Sequence, residues 1–494
     1  LIKFTFPFFF GLILLLAICS MAFFCPYLVD DAYISFRISE NLLSNGEPFF
    51  DHNKAVYTST SLLYPFINSI WYFLIGNNWK DFVILINSIF LGWSMSIVLK
   101  KAFEANPSSF WFPKLGTFLL MIPWFLDFKT LVFGNSGLET ALYMWLLALV
   151  CIPTKESPFR PMSVAGWFLV LVRPEGILAG LAQLLSGTST ENFKSHIRFA
   201  MWGLLALVLW AGLGFYLYGT WMPQSILAKG NHAIDRWLEI RKGLAYLLFA
   251  NHPFEFGIAI CGFVFFPETR KMFILPLTWI GLYIAFFSLA AAWWPWYLPP
   301  LFVPFWFLTS ISAHAILVWG QEYFEKNKAY LAGIPIVLGL LSFRVKETLM
   351  VSHKQIREAS DGYQERNNSS KRIGHFLEKE IKPGQTILLE PLGMIAWYAK
   401  NKSFIDYPGL ATPEMTAHLS ILKWKVPHRL TDSKTDSAVL EHFKPDILVL
   451  WPEEVNAFKK VRLFREKYGL LKKFDYVHTE KRMDTVRVFQ KIRS

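Results

Sequence analysis

The feature that most constrains this 494-residue chain is the recurrence of apolar runs near 20 residues long, interrupted by short basic breaks and ending near Val345. A run of that length spans the hydrocarbon core of a bilayer as a helix, so the first two thirds reads as a polytopic helical membrane domain. Composition agrees. Charged residues are only 17% of the chain, against roughly 25% for a soluble globular protein, and mean hydropathy is +0.33. Disordered, fibrous and disulfide-stapled classes are excluded.

Sidedness follows from the breaks. Lys100 to Lys114, Lys155 to Arg160, Lys194 to Arg198, Arg270-Lys271 and Lys326 to Lys328 carry the Lys and Arg excess expected of cytoplasmic loops. Placing them inside gives about eleven spans: 4–28, 82–99, 113–132, 138–152, 162–174, 176–190, 199–218, 251–267, 272–291, 298–318 and 329–345. The first run is too long for a signal-peptide core and reads as a retained helix. Residues 29–81 then form a first outer loop. Within it, Ser61 to Gly76 is rich in Trp and Tyr and suits a helix lying in the interface.

Residues 346–494 change character, with 27 Lys and Arg against 19 Asp and Glu. The topology puts this tail outside. It reads as a small α/β domain, with a helix over Asn367 to Glu380, short strands at Thr386 to Glu390 and Ile447 to Trp451, and a helix at Gly393 to Lys400. Its positive charges are scattered and accompany no recognition motif, so nucleic acid is not an expected partner; membrane lipids are. Cys19, Cys25, Cys151 and Cys261 all fall before the tail and fit neither a metal spacing nor a disulfide framework.

Ionisable groups near hydrocarbon depth are costly, and they concentrate in four places on the outward face. Asp30-Asp31 follows the first run; helix capping by one and solvation of the other compete with proton chemistry and its positioning. Arg173-Pro174-Glu175-Gly176 forms a turn in which Arg173 either binds phosphate or closes a self-satisfied pair with Glu175. Glu139, in Asn135-Ser136-Gly137-Leu138-Glu139-Thr140, either faces the site or complements a helix N-terminus. The fourth is the outer loop Trp221 to Lys229, where Lys229 is a counter-charge for an anion or a solvated lysine. Nearby Trp296 and Tyr297 belong to an aromatic belt able to stack on a sugar.

Asp30 to Arg37, Gly137 to Thr140, Arg173 to Gly176 and Pro223 to Lys229, in that order, resemble a bacterial branch of the GT-C membrane glycosyltransferases. That branch is similar to the mycobacterial terminal arabinofuranosyltransferases and, more distantly, to protein O-mannosyltransferases. Glu390 to Tyr398, Ile405 to Leu410 and Lys444 to Leu450 resemble its outer domain. Two motifs depart from the pattern. Val56-Tyr57-Thr58-Ser59 stands where the branch often has Val-Glu-Gly-Tyr-Thr-Ser, and Pro223-Gln224-Ser225 where it has Pro-Asn-Thr.

The resemblance implies a GT-C fold whose domain over 1–345 carries the site and whose 346–494 domain lies outside the cytoplasmic membrane. It implies an inverting hexosyl or pentosyl transfer from a polyprenyl-phosphate sugar to a hydroxyl on a glycan, lipid or protein. Asp30, or else Asp31, is then the general base, with Arg173, Lys229 and Arg37 as the cations for the leaving phosphate. No cofactor is expected, although Asp31 and Glu139 leave room for a divalent ion. The rival class is a transporter or flippase of a lipid-linked glycan, which would carry its ionisable groups at mid-bilayer depth in broken helices.

Overall fold

The structure is a computed structural model. It describes residues 10–13, 28–52, 54–108, 111–151, 161–186, 193–230, 236–289, 294–326, 364–424, 426–427, 429–477 and 483–492, with isolated positions between 339 and 362. The expected spans 4–28 and 329–345 therefore lie almost wholly outside the described residues.

The segment expected to form the first outer loop opens with a helix that the sequence reading does not assign, α1 (Asp30–Asn45). Every side chain from Ala32 to Ser39 is buried, including Ser35, Arg37 and Ser39. A helix wrapped on all sides shows no apolar stripe, which is why periodicity does not find it. The next helix, α2 (Tyr64–Ile75), is inverted relative to a soluble helix: Asn68 and Ser69 are buried while Ile70, Phe73 and Leu74 are exposed. One 3₁₀ turn, Gly76–Asn78, joins it to α3 (Trp79–Ala105), so the piece read as interfacial runs straight into the span that follows.

A single helix over 113–132 is not what forms. The chain breaks into α4 (Trp111–Phe125) and α5 (Phe128–Asn135), bent by 67°. Pro123 weakens the end of α4, and Asp127 starts α5 by accepting from the Lys129 and Thr130 amides at 2.8 and 3.3 Å. The same carboxylate ties in a second break. Its other oxygen accepts from Tyr246 Oη at 3.0 Å and Asn251 Nδ2 at 3.2 Å, and lies 3.1 Å from His252 Nε2. There Trp237–Asn251 meets Pro253–Phe265 at 88°.

After α6 (Thr140–Cys151) come the short helices α7 (Pro161–Phe168) and α8 (Ile177–Ser186), flanking the Arg173 to Gly176 turn. Next are α9 (Phe193–Tyr218), α10 (Gln224–Gly230), α11 (Arg236–Ala245), α12 (Pro253–Phe265), α13 (Arg270–Leu289) and α14 (Pro299–Lys326). The hub is α14, buried along most of its length and packed against α3, α4, α6 and α12. Among the described residues, four helices are long and apolar enough to cross a membrane, or six if each bent pair counts as one span.

In the tail, a helix over 364–380 leads into a five-stranded sheet of β1 (Thr386–Leu389), β2 (Ser403–Asp406), β3 (Ile447–Leu450), β4 (Tyr468–Val477) and β5 (Met483–Lys491), ordered β2-β1-β3-β5-β4. The three short strands are parallel, and β1 and β3 are almost wholly apolar, as suits strands covered on both faces. The long β4–β5 hairpin adds antiparallel to β3. Between β1 and β2 lies α15 (Gly393–Tyr398). All four tail elements expected from sequence are present; β2 and the hairpin are additions.

Candidate active site

The two domains meet along α1. Asp30 turns both carboxylate oxygens to the start of α15, accepting from the Gly393 and Met394 amides at 2.8 Å each. One face along, Arg37 grips the other end of α15, donating to Ala396 O at 2.5 Å and Lys400 O at 3.2 Å, to Phe50 O at 2.8 Å, and pairing with Asp51 at 3.1 Å. An acid at the amino end and a base at the carboxyl end suit the free peptide groups of a short helix. The approach is close: a Cβ on Gly393 would sit 2.0 Å from Asp30 O, so only glycine fits. Gln224 supplies a third tie, donating to Gly409 O at 3.0 Å and Thr416 Oγ1 at 2.7 Å.

Between these ties lies a chamber of about 330 Å³. Phe133, Trp294 and Trp296 line it from the helical domain, with Asp30, Asp31 and Lys229. From the sheet domain come Arg366, Asn367, Ser370, Glu390, Tyr407 and Arg429. Three carboxylates thus face three cations. Asp31, Lys229, Trp296, Ile34 and Leu410 also line an adjoining pocket of about 40 Å³, walled by the hydroxyls of Ser35, Thr58, Ser59, Thr60 and Ser225 and by Glu139.

The neighbouring aspartates are therefore differently placed. Asp30 is engaged by backbone amides; burial pushes its carboxyl up to about 6 against the pull of those hydrogen bonds. Asp31 faces both cavities, and burial raises it too, with Lys229 pulling it back. Lys229 lies 5.8 Å from the centre of the Trp296 ring, and Trp296 stacks on Trp294 at 5.5 Å.

Two predicted cations do not reach the chamber. Arg37 is buried with its guanidinium donating to protein oxygens, as above. Arg173, 2% exposed, lines neither cavity: its Nε lies 2.8 Å from Glu175 and 3.6 Å from Glu139, with the Tyr297 and Tyr143 rings at 5.0 and 5.5 Å. The Arg173 to Gly176 turn forms the internal ion pair, extended by Glu139, while Arg173 Nη1 and Glu175 Oε1 are buried without a hydrogen-bond partner. It closes only because position 176 is glycine, where a Cβ would come within 2.2 Å of the Leu169 backbone. Glu139 touches both settings, bordering the small pocket while completing the buried cluster. Tyr297 sits with Arg173 and accepts from Tyr283 through its carbonyl at 2.8 Å.

The sheet-domain wall, not predicted from sequence as a site, has a simple origin. Glu390 follows β1 and Tyr407 follows β2, so the carboxyl ends of these two parallel strands open toward the chamber, and Trp451, which follows β3, stands beside Glu390. Trp451 donates its indole N–H to Glu390 O at 2.6 Å. The outer-domain motifs that include Glu390 and Tyr407 were the available signal. Asp31 and Glu139 border the small pocket, yet among the described residues no three His, Cys, Asp or Glu side chains converge as metal ligands would.

Residues 354–489 match the family described as a domain of unknown function (DUF8728). Over 253 residues the chain is 22% identical to the terminal beta-(1->2)-arabinofuranosyltransferase of Mycobacterium tuberculosis, a match covering 47% of this chain and 39% of that protein, so it spans well under half of the curated relative's length. The likeness to GT-C membrane glycosyltransferases read from the motifs thus recurs in this sequence relative. Two structures of ArnT from Cupriavidus metallidurans, one bound to undecaprenyl phosphate and one in the apo state, align over 97% of both chains at 13% and 14% identity, each with a TM-score of 0.49. A likeness of that degree carries no argument about mechanism.

Proposed function

We propose that the protein is a multi-pass membrane glycosyltransferase that moves a sugar from a polyprenyl-phosphate donor to an acceptor hydroxyl, with inversion, on the outer face of the cytoplasmic membrane. The observation that carries this reading is that Asp31 and Lys229 both line one chamber, walled by tryptophans on the membrane-domain side and by polar groups on the soluble side. A lipid-linked substrate needs such a two-faced site. Asp31 accepts the acceptor's proton as its oxygen attacks the anomeric carbon, and the bond to the phosphate oxygen breaks on the opposite face. Lys229 meets the charge that develops there. Asp30, engaged by the α15 amides, holds its neighbour in place instead of acting as the base.

The test is transfer of label from a polyprenyl-phosphate sugar by the purified protein, alongside a reporter fused after Ser494. Transfer that Asp31→Asn abolishes, with the reporter outside, supports the reading. Full transfer by that variant, or no transfer from any such donor, overturns it.

A further inference from the structure

The phosphate of such a donor needs more than Lys229, and neither Arg173 nor Arg37 lines the chamber. The remaining cations of the chamber come from the sheet domain, and they are not equivalent. Arg429 is paired, 3.7 Å from Glu390 and 3.3 Å from Glu453. Arg366 is not: among the described residues no carboxylate stands within ion-pair distance of it and no acceptor takes a hydrogen bond from its guanidinium. Its guanidinium instead lies 4.6 Å from the centre of the Trp451 ring, a contact that fixes the group without neutralising it.

Its position in the fold is also informative. From β1 the chain passes to β2 on one side and then to β3 on the other, so the strand order reverses between β1 and β3. Open parallel sheets bind ligands in the crevice beyond the strand ends at such a reversal. Here that crevice is bounded by Glu390 and Trp451, and Arg366 lies over Trp451 with its charge felt by Glu390 and Asp30. The crevice opens into the same chamber as Lys229.

We propose that the soluble domain completes an anion-binding site, with Arg366 and Lys229 together taking the phosphate group of an isoprenoid phosphate. The lipid identity of the anion rests on the proposed function; the site itself does not. A planar guanidinium presents paired N–H donors to two phosphate oxygens, and the charge it meets grows as the sugar–oxygen bond breaks. A consequence is that the chamber holds its donor phosphate only while the sheet domain is docked on α1.

Binding tests this without requiring transfer. The full-length protein in detergent is titrated with farnesyl phosphate, with farnesol and with inorganic phosphate. Arg366→Gln is expected to weaken farnesyl phosphate binding roughly 10- to 100-fold, the effect of losing a charge-assisted contact, and to leave farnesol uptake unchanged. Arg366→Lys, which keeps the charge, recovers most of the affinity. Farnesyl phosphate affinity in Arg366→Gln equal to the unmodified protein's overturns the proposal. Should that variant fail to fold, Arg366→Met takes its place with the same expectation and the same overturning result, and wild-type binding in Lys229→Gln overturns the pairing. Inorganic phosphate competing as strongly as farnesyl phosphate overturns the lipid assignment. Arg366-dependent binding without any sugar transfer would leave the site standing and remove the enzyme reading; transfer with Arg366-independent binding would do the reverse.

Discussion

Two groups of charges lie within a few side chains of one another at the junction of the domains, and they have opposite characters. Around Asp31, Lys229 and Arg366 there is space, hydroxyl groups and aromatic walls. Around Arg173 there is none: one cation is held between Glu175 and Glu139 and closed over by Tyr143 and Tyr297. Both groups cost free energy to place in apolar surroundings. Only the first faces a volume that a ligand can enter, whereas the second is enclosed among its own counter-charges and holds the α7–α8 turn against α6. Charge at depth marks importance, and volume beside it separates chemistry from architecture.

The sharpest test of that contrast compares the adjacent aspartates. Asp31→Asn should lower transfer about 10²- to 10⁴-fold, the usual scale for a lost general base, without changing thermal stability. Asp30→Asn keeps an acceptor for one α15 amide and loses the other, so about 1–3 kcal/mol of docking is lost and the chemistry persists at a reduced rate. Equal losses would erase the distinction between them.

Next in size is Arg173→Leu. Removing the cation strands the buried carboxylates of Glu139 and Glu175, at about 3–5 kcal/mol for a broken buried pair. The expected outcome is a lower melting temperature in detergent and poor yield, with donor KM near normal in whatever folds. A stable variant with a raised donor KM would return Arg173 to the phosphate. Smaller again is Gly393→Ala. The added methyl meets Asp30 O and forces α15 off α1, costing about 1–3 kcal/mol, which faster hydrogen exchange at the Met394 amide would reveal.

The uneven legibility of the chain has the same root. Spans and tail elements were readable where burial is one-sided or continuous, as in α13, α14, β1 and β3. The enclosed α1 was not, because polar residues share its buried surface, and the break at Asp127 was missed because a capping aspartate inside an apolar run looks like a local blemish. At the site, Asp31, Glu139, Lys229 and Trp296 stood out against apolar or aromatic neighbours. Arg37 and Arg173 gave the same signal for a different reason, since sequence does not distinguish an occupied cation from an available one. Glu390 gave only its place in an outer-domain motif, and Arg366 and Arg429 gave none. They lie in a segment where charge is cheap, and only strand ends far apart in the chain bring them to the chamber.

The mildest effect probes the open group through pH. Burial raises Asp31 above the ordinary aspartate range, and the nearby Lys229 opposes that rise. A base works only when ionised, so transfer is full above the Asp31 pKa and fades as pH falls through it; the acid limb of the rate profile should lie above the range of an ordinary aspartate. Taking away the Lys229 charge removes the opposing influence, so in Lys229→Gln the limb moves to higher pH. The height of the profile also drops, because the same lysine meets the leaving phosphate, but height and limb position are separate readings. A limb that stays in place, or moves to lower pH, would mean that the titrating base is not beside Lys229, and the open group would then have to be redrawn around Glu390, whose carboxyl burial also raises.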